Sequence, residues 1–330
     1  MEFHEFFSFL VILKESIKLL PKNGNLMALI VIISVVLNSI LFLSFNFSFK
    51  SLTNDMVGIF MNAFMPDPSS FVPNQSPFTP NTTSFMPDPT LLLGQGGRLR
   101  EDFALLLAVQ MAFIIGAFFI SILSTTATVL VSAMSYNDMT LSLTNLCSRI
   151  VTRWKRALVT GFYTKLHAIG YLFLVVALAA PLLMSANKAT ISAAILLGIS
   201  ASFYFLYLAV VWILAVVVSV VDEYYGMEAI GKAATVIKSK RLHGFMLNIF
   251  FNLLGLIVVQ GYRIILGEKG LLNLTIYGLF MMVFSSLGNL FLGVAYTVLY
   301  FQCKKIHGEE IELYGSIEYT KLPTTQPVNK

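Results

Sequence analysis

The sequence predicts an all-α fold: a polytopic integral membrane bundle of six transmembrane helices, accompanied by interfacial amphipathic helices. Three observations carry the prediction. Six apolar stretches run from Leu26 to Phe47, Phe103 to Met134, Leu158 to Met184, Ile191 to Val221, Phe245 to Leu266 and Ile276 to Phe301. Each exceeds the ~20 residues a helix needs to cross a ~30 Å hydrocarbon core. Nearly all charged residues lie between the stretches. The stretches are continuous rather than alternating, which excludes a transmembrane barrel. Of the 330 residues, 57% are hydrophobic, more than a soluble domain carries.

The elements follow in order. Residues 1–24 form the first region, a cytosolic interfacial helix. Phe3, Phe6, Phe7, Leu10, Leu13, Ile17 and Leu20 recur at helical spacing, with Glu and Lys on the other face. Pro21-Lys22-Asn23-Gly24 separates it from the first crossing. That crossing starts too late and runs too long for a cleavable signal peptide. Residues 25–305 make up the six-helix membrane domain. Between its first two crossings lies a Pro-rich loop, 48–102, on the luminal or extracellular side. It repeats a pentapeptide, Phe64-Met65-Pro66-Asp67-Pro68 and Phe85-Met86-Pro87-Asp88-Pro89, and its prolines argue against regular structure. Asn81-Thr82-Thr83 in this loop is a glycosylation sequon, so Asn81 is the candidate acceptor.

Two basic amphipathic stretches, Asp138–Arg156 and Asp222–Arg241, follow the second and fourth crossings. Each precedes a re-entry near a glycine, Gly161 or Gly244. The unit of long helix, interfacial basic helix and returning helix therefore occurs twice. Asp222 is expected to cap the start of the second basic helix. Residues 306–330 are polar and read as a disordered cytosolic tail.

Charge fixes the expected orientation. With the N-terminus cytosolic, 16 of the 22 Lys and Arg residues fall on the cytosolic side, as the positive-inside rule requires. Both termini are then cytosolic. The net charge of +5 is accounted for by topology and anionic lipid headgroups. No nucleic-acid-binding pattern accompanies it. Cys147 and Cys303 fall on the reducing side, so a disulfide is not expected, and the Cys and His spacing fits no structural zinc site. Cys303, before Lys304-Lys305, is either a palmitoylation site or a plain thiol at a helix end.

Polar groups inside a membrane are costly and are the first place to look for function. Lys165 and His167 lie inside the third crossing, and Asn252, Gln260 and Asn289 lie on the last two. These five form the candidate intramembrane polar site. Against that reading, Lys165 can snorkel to the interface, His167 can be a hydrogen-bonded packing residue, and the amides can bond between helices. No carboxylate lies within a crossing, which weighs against ion-coupled transport. Motifs for metallopeptidases, phosphate-binding loops and serine hydrolases are missing. Asp222, Glu223 and Glu228 are the only candidates for a metal, and capping is the better reading, so no metal, cofactor or catalytic residue is expected. In the tail, Tyr314 with Ile317 and Tyr319 with Leu322 fit the tyrosine sorting pattern read by clathrin adaptors.

This layout, together with Val218-Ser219-Val220-Val221-Asp222-Glu223-Tyr224-Tyr225-Gly226-Met227-Glu228-Ala229, resembles a family of plant multi-pass membrane proteins. Some of its members are labelled as binding a poly(A)-binding protein. More distantly, the layout is similar to the membrane domain attached to bacterial glycerophosphodiester phosphodiesterases. The resemblance covers most of residues 1–305, and its most specific part is the dozen residues just quoted. It implies a plant protein of the endomembrane system and supplies no catalytic residues. The expected compartment is the endoplasmic reticulum, with Golgi, vacuole and plasma membrane as alternatives. The expected function is that of a membrane scaffold, interaction or trafficking component, whose partners are membrane lipids and adaptor or other proteins. The alternative is a facilitative transporter or channel for a small solute or lipid, and a membrane-embedded enzyme on a lipophilic substrate comes third.

Overall fold

The computed structural model describes residues 9–64, 89–139, 142–185, 187–266 and 271–308. Among these residues no strand occurs. The helices are α1 Phe9–Leu19, α2 Gly24–Phe64, α3 Pro89–Tyr136, α4 Leu143–Met184, α5 Lys188–Val221, α6 Gly226–Val236, a 3-10 turn at Ile237–Lys240, α7 Arg241–Leu266 and α8 Leu271–Ile306. Six segments, in α2, α3, α4, α5, α6 with α7, and α8, are long and apolar enough to cross a membrane. Asn81, Tyr314, Ile317, Tyr319 and Leu322 lie outside the described residues.

Two elements differ from expectation. The Pro-rich loop is shorter than 48–102, because α2 continues to Phe64 and α3 begins at Pro89. No proline falls between residues 48 and 65, so nothing breaks α2 there. Pro89 occupies the first helical position, where a missing N–H leaves no bond unmade. The stretch Asp138–Arg156 is not a separate interfacial helix, since from Leu143 it is the opening of α4, which runs unbroken to Met184. Asp138 instead makes the turn before it, with φ of 55°. The two basic stretches are therefore not equivalent, and only the second forms a helix of its own, α6. α1 buries Ile12, Ser16 and Leu19 against the bundle, with α8 as its main neighbour.

α5 and α8 form the centre. α5 touches α3, α4, α6, α7 and α8, and α8 touches α1, α2, α3, α5, α6 and α7. Packing is concentrated at one end of the bundle, which we call the basal end. There the ends of α3, α5 and α8 meet the starts of α4, α6 and α7. Val129 to Val131, Val217, Val218, Val220, Val221 and Val298 to Phe301 are all buried there. Tyr136 stacks on Phe301 with ring centroids 4.8 Å apart. Small residues allow the helices to approach: a Cβ on Gly244 would meet Val210 at 2.7 Å, and one on Gly161 would meet Ile122 at 2.4 Å. Towards the other end the core thins. No described side chain of α4 from 165 to 184, nor of α5 from 195 to 209, is buried.

Polar groups tie the basal end. Asp222 does not cap α6; it terminates α5 in an extended conformation. Its carboxylate accepts a hydrogen bond from the Tyr300 hydroxyl and faces the Lys304 ammonium at 3.4 Å. Arg153 of α4 donates to the carbonyls of Val220 and, at 3.0 Å, Val221. Those are among the last carbonyls of α5, which lack helical partners, and a cation complements the partial negative charge there. Gln302 donates to Glu15 at 2.5 Å and accepts from Lys240 at 2.8 Å, joining α8 to α1 and to the 3-10 turn. Lys22 pairs with Asp138 at 2.5 Å.

α6 begins at Gly226, whose φ of +62° lies in the left-handed region that favours glycine and strains a β-branched side chain. Its N–H donates to Thr160 Oγ1 of α4 at 2.8 Å. Gly226→Val, a β-branched residue in the left-handed region, is expected to lower stability by about 2 kcal/mol. Thermal unfolding of the detergent-solubilised protein checks this, and an unchanged midpoint would contradict the geometry.

Candidate functional site

Between the packed basal end and the thinning core, two cavities lie beside the contact of α5 with α8. The first, about 360 Å³, is bounded by α5, α7 and α8. α7 contributes Asn248 and Asn252, four residues apart and hence on one face. Asn248 is buried and donates to the Leu206 carbonyl of α5 at 2.9 Å. Asn252 donates to the Asn248 side-chain oxygen at 3.0 Å and to its carbonyl at 2.8 Å. Gly255 and Gly288 line the same space, and a Cβ on either would meet nothing within 4 Å. The absent side chains help to hold the space open.

The second cavity, about 370 Å³, is bounded by α3, α4, α5 and α8. Its polar lining is Ser121 and Thr125 of α3, Thr164 and Lys165 of α4, and Asn289 of α8, against an apolar wall that includes Trp212. Thr164 is occupied by a bond to the Gly161 carbonyl at 2.8 Å. Four residues line both cavities: Phe205, Ala209, Asn289 and Leu292. Lys165, Asn252 and Asn289 are exposed, so both spaces are reached from outside the bundle. Among the described residues, no hydrogen bond or ion pair engages the Lys165 ammonium.

Of the five intramembrane residues expected from the sequence, the fold brings three to this crevice: Lys165, Asn252 and Asn289. Gln260 is exposed on α7 and lines neither cavity. His167 is exposed, with Nδ1 2.8 Å from the Tyr163 carbonyl of its own helix; it too lines neither. Asn248 and Ser285 in the first cavity and Thr164 and Trp212 in the second line the crevice without having been among the expected residues. The i, i+4 spacing of Asn248 and Asn252 was the available signal. Cys303 is fully buried, which removes it as a surface acylation site. Among the described residues, no group of three or more His, Cys, Asp or Glu side chains is placed to hold a metal ion.

The described elements therefore define an all-helical protein with six helices long and apolar enough to span a membrane and, between five of them, a largely apolar crevice that carries a few polar groups. The profile of a family described as a domain of unknown function (DUF8558) matches residues 94–318, more than half of the chain. The protein belongs to that family, and every residue lining the two cavities falls within the matched region. No curated protein matches, and no solved structure matches.

Proposed function

We propose that this is a multi-pass endomembrane protein that admits a membrane amphiphile between its helices and acts as a facilitative carrier for it. The observation that carries the reading is the convergence of Lys165, Asn252 and Asn289 on two adjoining, laterally accessible cavities. Their walls are mostly apolar and match acyl chains, while the amides offer donors and acceptors to a headgroup. Polar groups in such a place are retained at a cost in stability, which favours function over packing. The closed packing of the basal end favours a carrier over an open channel. The positive-inside charge bias supports cytosolic termini and a cytosolic basal end. The endoplasmic reticulum remains the compartment of choice.

A second reading, as a scaffold or trafficking component, is favoured by a different observation. The basal end presents Lys14, Lys18, Lys155, Lys238, Arg241 and Lys305 as exposed cations, suited to anionic headgroups. Adaptor contacts through Tyr314 and Tyr319 belong to this reading.

The test is lipid movement in proteoliposomes carrying a fluorescent lipid, with dithionite bleaching the outer leaflet. The wild-type protein is expected to expose inner-leaflet lipid faster than protein-free vesicles do. Asn289→Phe, which puts a ring at one of the four positions common to both cavities, is expected to cut the accelerated rate by at least roughly tenfold, equivalent to about 1.4 kcal/mol of barrier. Its melting temperature should stay near that of the wild type. Equal rates with and without wild-type protein would remove the carrier reading and leave the scaffold.

A further inference from the structure

Lys165 bears on which amphiphiles the crevice takes. It lies nine residues beyond Arg156 on α4, about 14 Å deeper along the helix axis at 1.5 Å per residue. The basic cluster of Arg149, Arg153, Lys155 and Arg156 marks the basal end of that helix. Lys165 is thus set well into an apolar segment, where an unpaired ammonium is unfavourable by a few kcal/mol. The fold supplies no carboxylate to offset it: among the described residues Lys165 has no ion-pair or hydrogen-bond partner. The contrast within the molecule is direct. Lys304 has Asp222, Lys22 has Asp138 and Lys240 has Gln302. The cation in the crevice lines a cavity of about 370 Å³ with Ser121, Thr125 and Asn289 as neutral polar neighbours. The apolar wall of that cavity is formed by Trp212, Ile213, Val216 and Val217.

Resting on the carrier reading, we propose that the crevice selects amphiphiles with an anionic headgroup, a phosphate or carboxylate bearing an acyl chain. The headgroup oxygen pairs with the Lys165 ammonium, and the chain lies along the Trp212 side. An ammonium serves as a point charge for either oxyanion. Neutral hydroxyl and amide neighbours complete the hydrogen bonds of the headgroup without repelling it. A zwitterionic headgroup brings its own cation and gains less from the same site.

Trp212 makes this testable, because the chain has two tryptophans and the other, Trp154, lies on α4 at the basal end. In a Trp154→Phe background, Trp212 is the single intrinsic fluorophore of its kind. The full-length protein is placed in phosphatidylcholine nanodiscs doped with brominated-chain phosphatidic acid or, separately, brominated-chain phosphatidylcholine. Quenching of Trp212 is expected at about fivefold lower doping for phosphatidic acid. That is the ratio given by the ~1 kcal/mol of one lysine facing an anionic lipid. Lys165→Gln should bring the two lipids together, and Lys165→Arg should keep them apart. The outcomes separate the two proposals. Quenching by both lipids with equal strength in the presence of Lys165 overturns the headgroup preference and leaves the crevice. Quenching by neither overturns the crevice as well. A preference that survives Lys165→Gln removes Lys165 from the role. If inorganic phosphate in the buffer abolishes the preference, the ligand is the free anion and the amphiphile assignment falls.

Discussion

Replacing Asp222 with alanine is expected to destabilise the protein by about 3–5 kcal/mol, the loss seen when one partner of a buried ion pair is removed. The side chains of Asp222 and Lys304 are 12% and 10% exposed and 3.4 Å apart, and Tyr300 donates to the same carboxylate. Without Asp222 the Lys304 ammonium stays in a packed site with no counter-charge. The larger part of the loss is thus the stranded charge and not the attraction itself. It follows that Asp222→Ala combined with Lys304→Met should recover much of the stability, a non-additivity that a double-mutant cycle measures. Unfolding midpoints in detergent for the two singles and the double provide the check. Additive losses would mean that the pair is not coupled.

Phe301→Ala is expected to lose about 3 kcal/mol, the lower end of the range for removing a buried aromatic ring. Phe301 is fully buried, stacks on Tyr136 and contacts the ring of Tyr300 with centroids 5.6 Å apart. The lower end is chosen because lipid chains solvate an unpacked phenylalanine nearly as well as protein does, leaving mainly the lost van der Waals contacts. Phe47 is the control. It is 79% exposed on α2, and its replacement by alanine should change stability by less than about 0.5 kcal/mol. Similar losses at the two sites would contradict the placement of the core.

The number and positions of the apolar helices were legible because hydropathy is summed over twenty or more residues and is insensitive to any one of them. What the sequence could not place depended on partners far along the chain. Asp222 looked like a helix start because a short polar acid before Gly226-Met227-Glu228 fits that pattern. Its actual partner, Lys304, lies 82 residues away. The basic stretch before Leu158 looked separable from the crossing, yet nothing in Leu143–Leu158 interrupts a helix, and Arg153 holds it against α5. Half of the crevice was visible as rare polar residues in apolar runs. Which of them meet was not, since Gln260 and Asn252 are chemically alike and differ in helix face and in their position along α7. Thr164, beside the conspicuous Lys165, was hidden because threonine is unremarkable in a membrane helix.

The uneven packing has a mechanical corollary. A bundle clamped at one end and loosely joined at the other behaves as a set of levers with a common fulcrum. From Asp222 back to the start of α5 is an arm of about 50 Å at 1.5 Å per residue. A 5° tilt at the fulcrum therefore displaces the arm's tip by about 4 Å, close to the spacing of one acyl chain from the next. Small adjustments among Arg153, Asp222, Tyr300 and Lys304 would be magnified into the width of the crevice mouth. The stiffness of that junction, more than the contacts at the mouth, sets how readily the helices part.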